Sequence, residues 1–329
     1  MISRTHGSFP QPMTSRLAWI VTLLAVGLCS GPAGAAAPTP VSSARTLYVG
    51  HSLINFDVPA IVQAMAESKG KTSRNKVQWY VGASMNYNLL HCRAWQQEGP
   101  WPPPSYACDE IDHGTDVGPF DALVITQSNN PIIHPSNPNE IGSTVEDFLG
   151  FLDPFLDKNG GTGRAYYYTS WEEQNYSLYD GADWTTRIAP ELAKYEMTAR
   201  LIEERERSTR GRSVSVPVIP INLALRDLIL AAEAGNFPGV TSRSQLFVDG
   251  VHLTPLGYYL ASCVVYASVF QESPAGATNR VAGEWSDVVN LDPGLAANLQ
   301  NFAWNLVASY RGWNAAATRP RAPTGLIVR

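Results

Sequence analysis

Cysteine is scarce: four in 329 residues, too few for a fold stapled mainly by disulfides. No Cys/His cluster has the spacing of a zinc site. Basic charge is not in excess either. The 24 Lys and Arg against 29 Asp and Glu leave a net charge of -5, which excludes a phosphate-tracking groove and argues against nucleic acid as a partner. There is no internal repeat. The N-terminal apolar run, Leu17 to Cys29, falls short of the roughly 20 residues that span a bilayer, so no stable membrane anchor is expected. What is present is ordinary globular composition, 44% hydrophobic and 16% charged, in a chain long enough for a large core.

Residues 1–35 read as a secretory signal. Arg16 precedes the apolar run, and Ala33-Gly34-Ala35 supplies the small-residue cleavage pattern. Translation starts at Met1 or at Met13; the sequence leaves both open. Lipid attachment at Cys29 is disfavoured by Leu28. The expected location is therefore secreted or periplasmic. Removal of the signal leaves Cys92, Cys108 and Cys263. Cys92 and Cys108 flank a Pro- and Trp-rich loop and are expected to pair in an oxidising compartment, adding about 3 kcal/mol in the chain-entropy model. Cys263, in an apolar helical run, is expected to be buried and inert.

From residue 46 onward, strand and helix signals alternate. Strands are expected at Thr46–Val49, Val77–Val81, Ala122–Thr126, Arg164–Thr169 and Val214–Ile219. Helices are expected at Val58–Lys69, capped by Asp57, and at Glu140–Leu156, Ile188–Arg207, Asn222–Ala234 and Pro293–Tyr310. Another opens at Thr254-Pro255, with Thr254 as N-cap. This alternation implies an α/β fold, a parallel sheet with helices on both faces. Residues 36–275 form the expected main domain, 276–314 a helical extension of it, and 315–329 an unstructured tail.

The chemistry is expected at a strand end. Tyr48-Val49-Gly50-His51-Ser52-Leu53 reads as a strand stopping at glycine and presenting one serine at its carboxyl end, where open α/β sheets bind ligands. Ser52 also precedes a helix N-terminus, whose dipole favours developing negative charge. A bland reading, a serine that caps the turn, competes. About 200 residues later, Asp249 and His252 stand three apart on one loop. A serine nucleophile needs a base, and the base needs a carboxylate to hold its tautomer, which points to Ser52, His252 and Asp249 as a hydrolytic triad. His51 is expected to turn away from Ser52 into the structure. His91, His113 and His134 lie on loops without a metal-ligand pattern.

Gly50-His51-Ser52-Leu53 resembles the Gly-Asp-Ser-Leu block of the SGNH, GDSL-type hydrolase superfamily, with His51 in place of the usual aspartate. Asp249-Gly250-Val251-His252-Leu253-Thr254 is similar to its terminal Asp-x-x-His block, and Gly257 falls where such proteins often carry a small residue. The resemblance implies a flavodoxin-like three-layer α/β/α sandwich on a five-stranded parallel sheet, a serine esterase mechanism, and neither metal nor cofactor. It also implies an oxyanion hole. Ser52 and Gly82 would supply backbone N–H groups and Asn129 a side-chain amide; Gln127, which stands where the family has glycine, is the rival to Asn129 because some relatives use a glutamine near this point.

Trp95 and Trp101 are expected in the loop after the second strand, and Trp171 and Trp184 in the loop after the fourth. Aromatic faces suit sugar rings, so these four are candidate substrate contacts, and an O-acetylated carbohydrate is the expected substrate. The competing reading is that they plug loops onto the sheet. Glu172 and Glu173 are candidates for a polar substrate or simply solvated. Two alternatives remain open: a lipase or arylesterase of the same superfamily, acting on a small-molecule ester, and a catalytically silent polysaccharide-binding module.

Overall fold

The computed structural model describes residues 38–94, 120–128, 139–174, 183–282 and 289–313. All of them fall within one compact unit, Ala35–Arg329. The elements in chain order are β1 (Ser43–Gly50), α1 (Asp57–Ser68), β2 (Thr72–Trp79), α2 (Met85–Ala94), β3 (Ala122–Thr126), α3 (Asn139–Lys158), β4 (Arg164–Tyr168), α4 (Trp184–Arg210), β5 (Val218–Ile219), α5 (Ile221–Glu233), α6 (Pro255–Phe270), β6 (Arg280–Val281), β7 (Val289–Asn290) and α7 (Pro293–Tyr310). The first five strands form one sheet in the order β2-β1-β3-β4-β5, every neighbouring pair parallel. The expected α/β sandwich is therefore the observed one.

Strand periodicity divides the core in two. Side chains alternate across a strand, so Leu47, Val49, Leu123, Ile125, Ala165 and Tyr167 face one side, while Tyr48, Val124, Tyr166 and Tyr168 face the other. The first set packs against α3 and most of α4, through Phe148, Leu152, Tyr195 and Ile202. The second packs against α1, α5, α6 and α7. Helix α6 is apolar all round because it is covered all round: Gly257 through Phe270 are buried without a break, between α1, α5 and α7. Cys263 lies on this helix, fully buried, and burial pushes its thiol pKa up.

Several boundaries differ from expectation. Strand β2 begins at Thr72, five residues before Val77, because its polar first half lies at the sheet edge and carries no apolar pattern. The fifth strand shrinks to Val218–Ile219. Asp57 lies inside α1 rather than capping it; its N–H is held instead by Asn55 Oδ1 at 2.6 Å. Helix α4 starts at Trp184, four residues before Ile188, because the Asp183 side chain accepts from Thr185 N–H and caps it. Helix α2 has no counterpart in the expected elements, since its polar sequence lacks a clear apolar stripe.

The signal segment 1–35 and the tail 315–329 lie outside the described residues, as do Trp95, Trp101, Cys108, His113, Asn129 and His134. Cys92 is on α2, and its expected pairing with Cys108 involves residues that are not described. No helix among the described residues is long and apolar enough to cross a membrane.

Candidate active site

Strand β1 delivers Ser52 to the carboxyl edge of the sheet. Gly50 is required there by close approach: a Cβ would fall well inside van der Waals contact of Thr126 Cγ2 and 2.9 Å from Ile54 Cγ2. The chain then turns, with Ile54 and Asn55 N–H groups both donating to the His51 carbonyl at 3.0 and 3.2 Å. Tyrosine hydroxyls from the core hold the other carbonyls of this turn. Tyr168 donates to Leu53 O at 3.1 Å and Tyr258 to Ser52 O at 3.4 Å. The Ser52 N–H has no acceptor among the described residues.

The acid and base come from a tight loop. Phe247 and Leu253 bridge as an antiparallel pair, and Val248 N–H donates to His252 O at 2.9 Å. Asp249 Oδ1 accepts the Val251 and His252 N–H groups at 2.7 and 2.6 Å, leaving Oδ2 free to meet His252 Nδ1 at 2.7 Å. From outside the loop, Trp171 Nε1 donates to Val251 O at 2.8 Å and Gln174 N–H to Gly250 O at 2.9 Å. Thr254 then caps α6 by accepting from Gly257 N–H. The imidazole so placed reaches Ser52, Nε2 to Oγ 3.2 Å. The structure thus brings Ser52, His252 and Asp249 together in one hydrogen-bonded line.

Electrostatics follow the geometry. Desolvation works against the Asp249 carboxylate, but the two backbone N–H groups and the imidazole outweigh it and hold its pKa at about 2. A permanently charged acceptor on Nδ1 keeps the proton there and the lone pair on Nε2, facing Ser52.

Gly82 lies in the turn beyond β2, next to the serine turn, because Gly50 pairs with Trp79 and Tyr80 N–H donates to Gly50 O. Its φ of +66° suits only glycine, its surroundings are open, and its N–H has no acceptor among the described residues. Gln127 differs from expectation. It is buried, and its side chain is committed away from an oxyanion role: Oε1 accepts from Met85 and Ser128 N–H at 2.6 and 3.0 Å, and Nε2 donates to Thr144 Oγ1 at 3.3 Å.

The described tryptophans also correct an expectation. Trp171 is fully buried and Trp184 is 2% exposed, with its Nε1 on Glu172 O at 2.9 Å, so neither offers a face to a sugar. Trp171 packs its loop onto the core, and Trp184 opens α4 against Phe247. Glu172 is buried rather than solvated; burial raises its pKa to about 7, against the pull of Arg187 at 3.5 Å. Glu173 stays exposed.

The sequence reading left two contributions unseen, the His51–Gln127 contact and the tyrosine hydroxyls. His51 Nε2 lies 3.3 Å from the Gln127 carbonyl, and the ring is buried, so desolvation lowers its pKa to about 4. Only the placement of both residues at strand ends hinted at this.

No family model matches this chain, and no curated protein does. Solved structures do. A DUF4886 family protein from Bacteroides uniformis aligns with a TM-score of 0.57 at 13% identity, over 82% of this chain and 96% of that one, which establishes a shared fold. Other matches include GDSL-type esterases and lipases. An acetyl xylan esterase aligns at TM-score 0.43 and 15% identity, over 68% of this chain and 99% of that one. A GDSL-like lipase from Bacteroides thetaiotaomicron aligns at 0.35 and 12%, over 68% and 86%. Likeness at this level says nothing about substrate.

Proposed function

We propose that this chain is an exported serine esterase of the SGNH, GDSL type, acting on an ester, O-acetyl for preference, carried by a carbohydrate. One observation carries the esterase reading: Ser52 Oγ lies 3.2 Å from His252 Nε2, whose Nδ1 lies 2.7 Å from an ionised Asp249. In the proposed reaction His252 takes the Ser52 proton as Oγ attacks the ester carbonyl. The tetrahedral oxyanion is met by the N–H groups of Ser52 and Gly82, with the Asn129 amide as the third expected donor. The imidazolium returns its proton to the departing alcohol, leaving an acyl-serine. Water, deprotonated by the same imidazole, then releases the carboxylic acid and restores the serine.

The carbohydrate part rests on less. Trp171 and Trp184 no longer support it, because both are buried. Its remaining support is Trp95 and Trp101, which lie outside the described residues between α2 and β3 in the sequence, together with the signal-like N-terminus. A lipase would instead prefer long-chain esters. Ser52→Ala should abolish hydrolysis of 4-nitrophenyl acetate while the protein stays folded, and a fluorophosphonate should label the parent chain but not the variant. Retained hydrolysis in Ser52→Ala would end the esterase reading. Acetate release from acetylated glycans, set against cleavage of long-chain esters, decides the substrate class.

A further inference from the structure

Gln127 directly follows β3, the strand beside β1, and several of its polar atoms hold something that bears on the site. Its carbonyl accepts from His51 Nε2 at 3.3 Å and from Ser170 Oγ at 2.8 Å. A carbonyl can only accept, so the neutral imidazole must carry its proton on Nε2. Its Nδ1 is thereby left to accept the Leu53 N–H at 3.5 Å, across the serine. The amide oxygen of Gln127 holds the N–H of Met85, the first residue of α2 and three residues beyond Gly82. The amide nitrogen anchors the whole to α3 through Thr144. Gln127 is 1% exposed and His51 4%, so water cannot replace a lost partner.

We propose that Gln127 is the positioning residue of this site: its carbonyl holds the Ser52 turn through His51, its amide oxygen holds the Gly82 turn through Met85 N–H, and the two together set the spacing of the two oxyanion N–H groups. This rests on the esterase reading. Neither residue touches substrate. Their effect is on where the Ser52 and Gly82 N–H groups stand, and misplacement of such groups by about 1 Å costs on the order of 10²-fold in rate.

The test uses the full chain with Gln127→Met, Gln127→Glu, His51→Leu and Ser52→Ala. Turnover of 4-nitrophenyl acetate is expressed per site titrated by a fluorophosphonate. Gln127→Met, which removes both acceptor bonds of the amide oxygen, should lower kcat per titrated site about 10- to 100-fold and leave KM nearly unchanged. Gln127→Glu keeps an acceptor for Met85 and Ser128 and should recover most of that loss. His51→Leu cuts only the tie to the serine turn, and it is judged by the same criterion if Gln127→Met does not fold. The proposal is overturned if kcat per titrated site stays at the parent value, if only the number of titratable sites falls, or if Gln127→Glu fails to recover. Activity surviving in Ser52→Ala would remove the esterase reading and the positioning role together. An inactive Ser52→Ala beside an unimpaired Gln127→Met would remove the positioning role alone.

Discussion

His51 Nε2 lies 3.3 Å from the carbonyl oxygen of Gln127, inside the protein and one residue before Ser52. This joins the ends of two adjacent strands, β1 and β3, just where the candidate nucleophile leaves the sheet. The pKa of about 4 follows mainly from burial, with the nearby His252 adding to it and the Gln127 carbonyl opposing it.

That depressed pKa makes a statement about stability. The unfolded chain takes up a proton at the ordinary histidine value of about 6.5, whereas folded His51 does so only near 4. Between those values the unfolded state binds more protons, so stability rises with pH. The contribution is fully present above about 6.5 and is lost as pH falls toward 4, on the order of 3 kcal/mol over the window. Urea unfolding of the parent chain and His51→Gln from pH 7 to 4 should show curves that converge on acidification. Parallel curves would remove His51 as the source.

Asp249 belongs to a different class of prediction. Asp249→Asn should keep the loop, because an amide oxygen can still accept from Val251 and His252 N–H. It should nevertheless lower kcat by about 10⁴-fold by favouring the wrong imidazole tautomer. The folded carboxyl titrates near 2, below its unfolded value, so its contribution to stability is present above about 4 and lost as pH falls toward 2. Activity lost between pH 7 and 5 therefore has another source than Asp249. A pH–rate profile of the parent chain, with kcat of Asp249→Asn beside it, checks both points.

Gly50 should not accept a methyl group. Its added Cβ would collide with Thr126 Cγ2 and crowd Ile54, so Gly50→Ala should destabilise by about 1–3 kcal/mol. Thr126→Ser removes the offending methyl and should restore part of the loss. A double-mutant cycle by chemical denaturation measures the coupling. Additive effects would show that the two residues do not collide.

Trp171→Phe should act on the loop rather than on a ligand. It removes the hydrogen bond to the partly buried Val251 O, at about 1 kcal/mol. The thermal midpoint should fall, and kcat should fall with the displaced His252. A change in affinity for acetylated glycans at unchanged stability would instead restore Trp171 as a sugar contact.

The sequence by itself determined the layer plan and the two segments that carry the chemistry. Alternating apolar strands and capped helices are local patterns, set by residues within a few positions of one another, and Gly50-His51-Ser52 and Asp249 to His252 are each local as well. The Asp249 side chain even binds the backbone of its own loop. What only the tertiary structure decided were partnerships between strand ends far apart in the chain. Parallel register places the turn that carries Gly82 beside the turn that carries Ser52, and Gln127 beside His51. Burial, which no local pattern reveals for a loop residue or the first residue of a helix, moved Trp171 and Trp184 into the core and turned the Gln127 amide toward Met85 and Thr144. The physical reason is the same throughout. Backbone propensity is settled over a few residues, whereas the partner of a buried polar group is settled by whichever strand the sheet puts next to it.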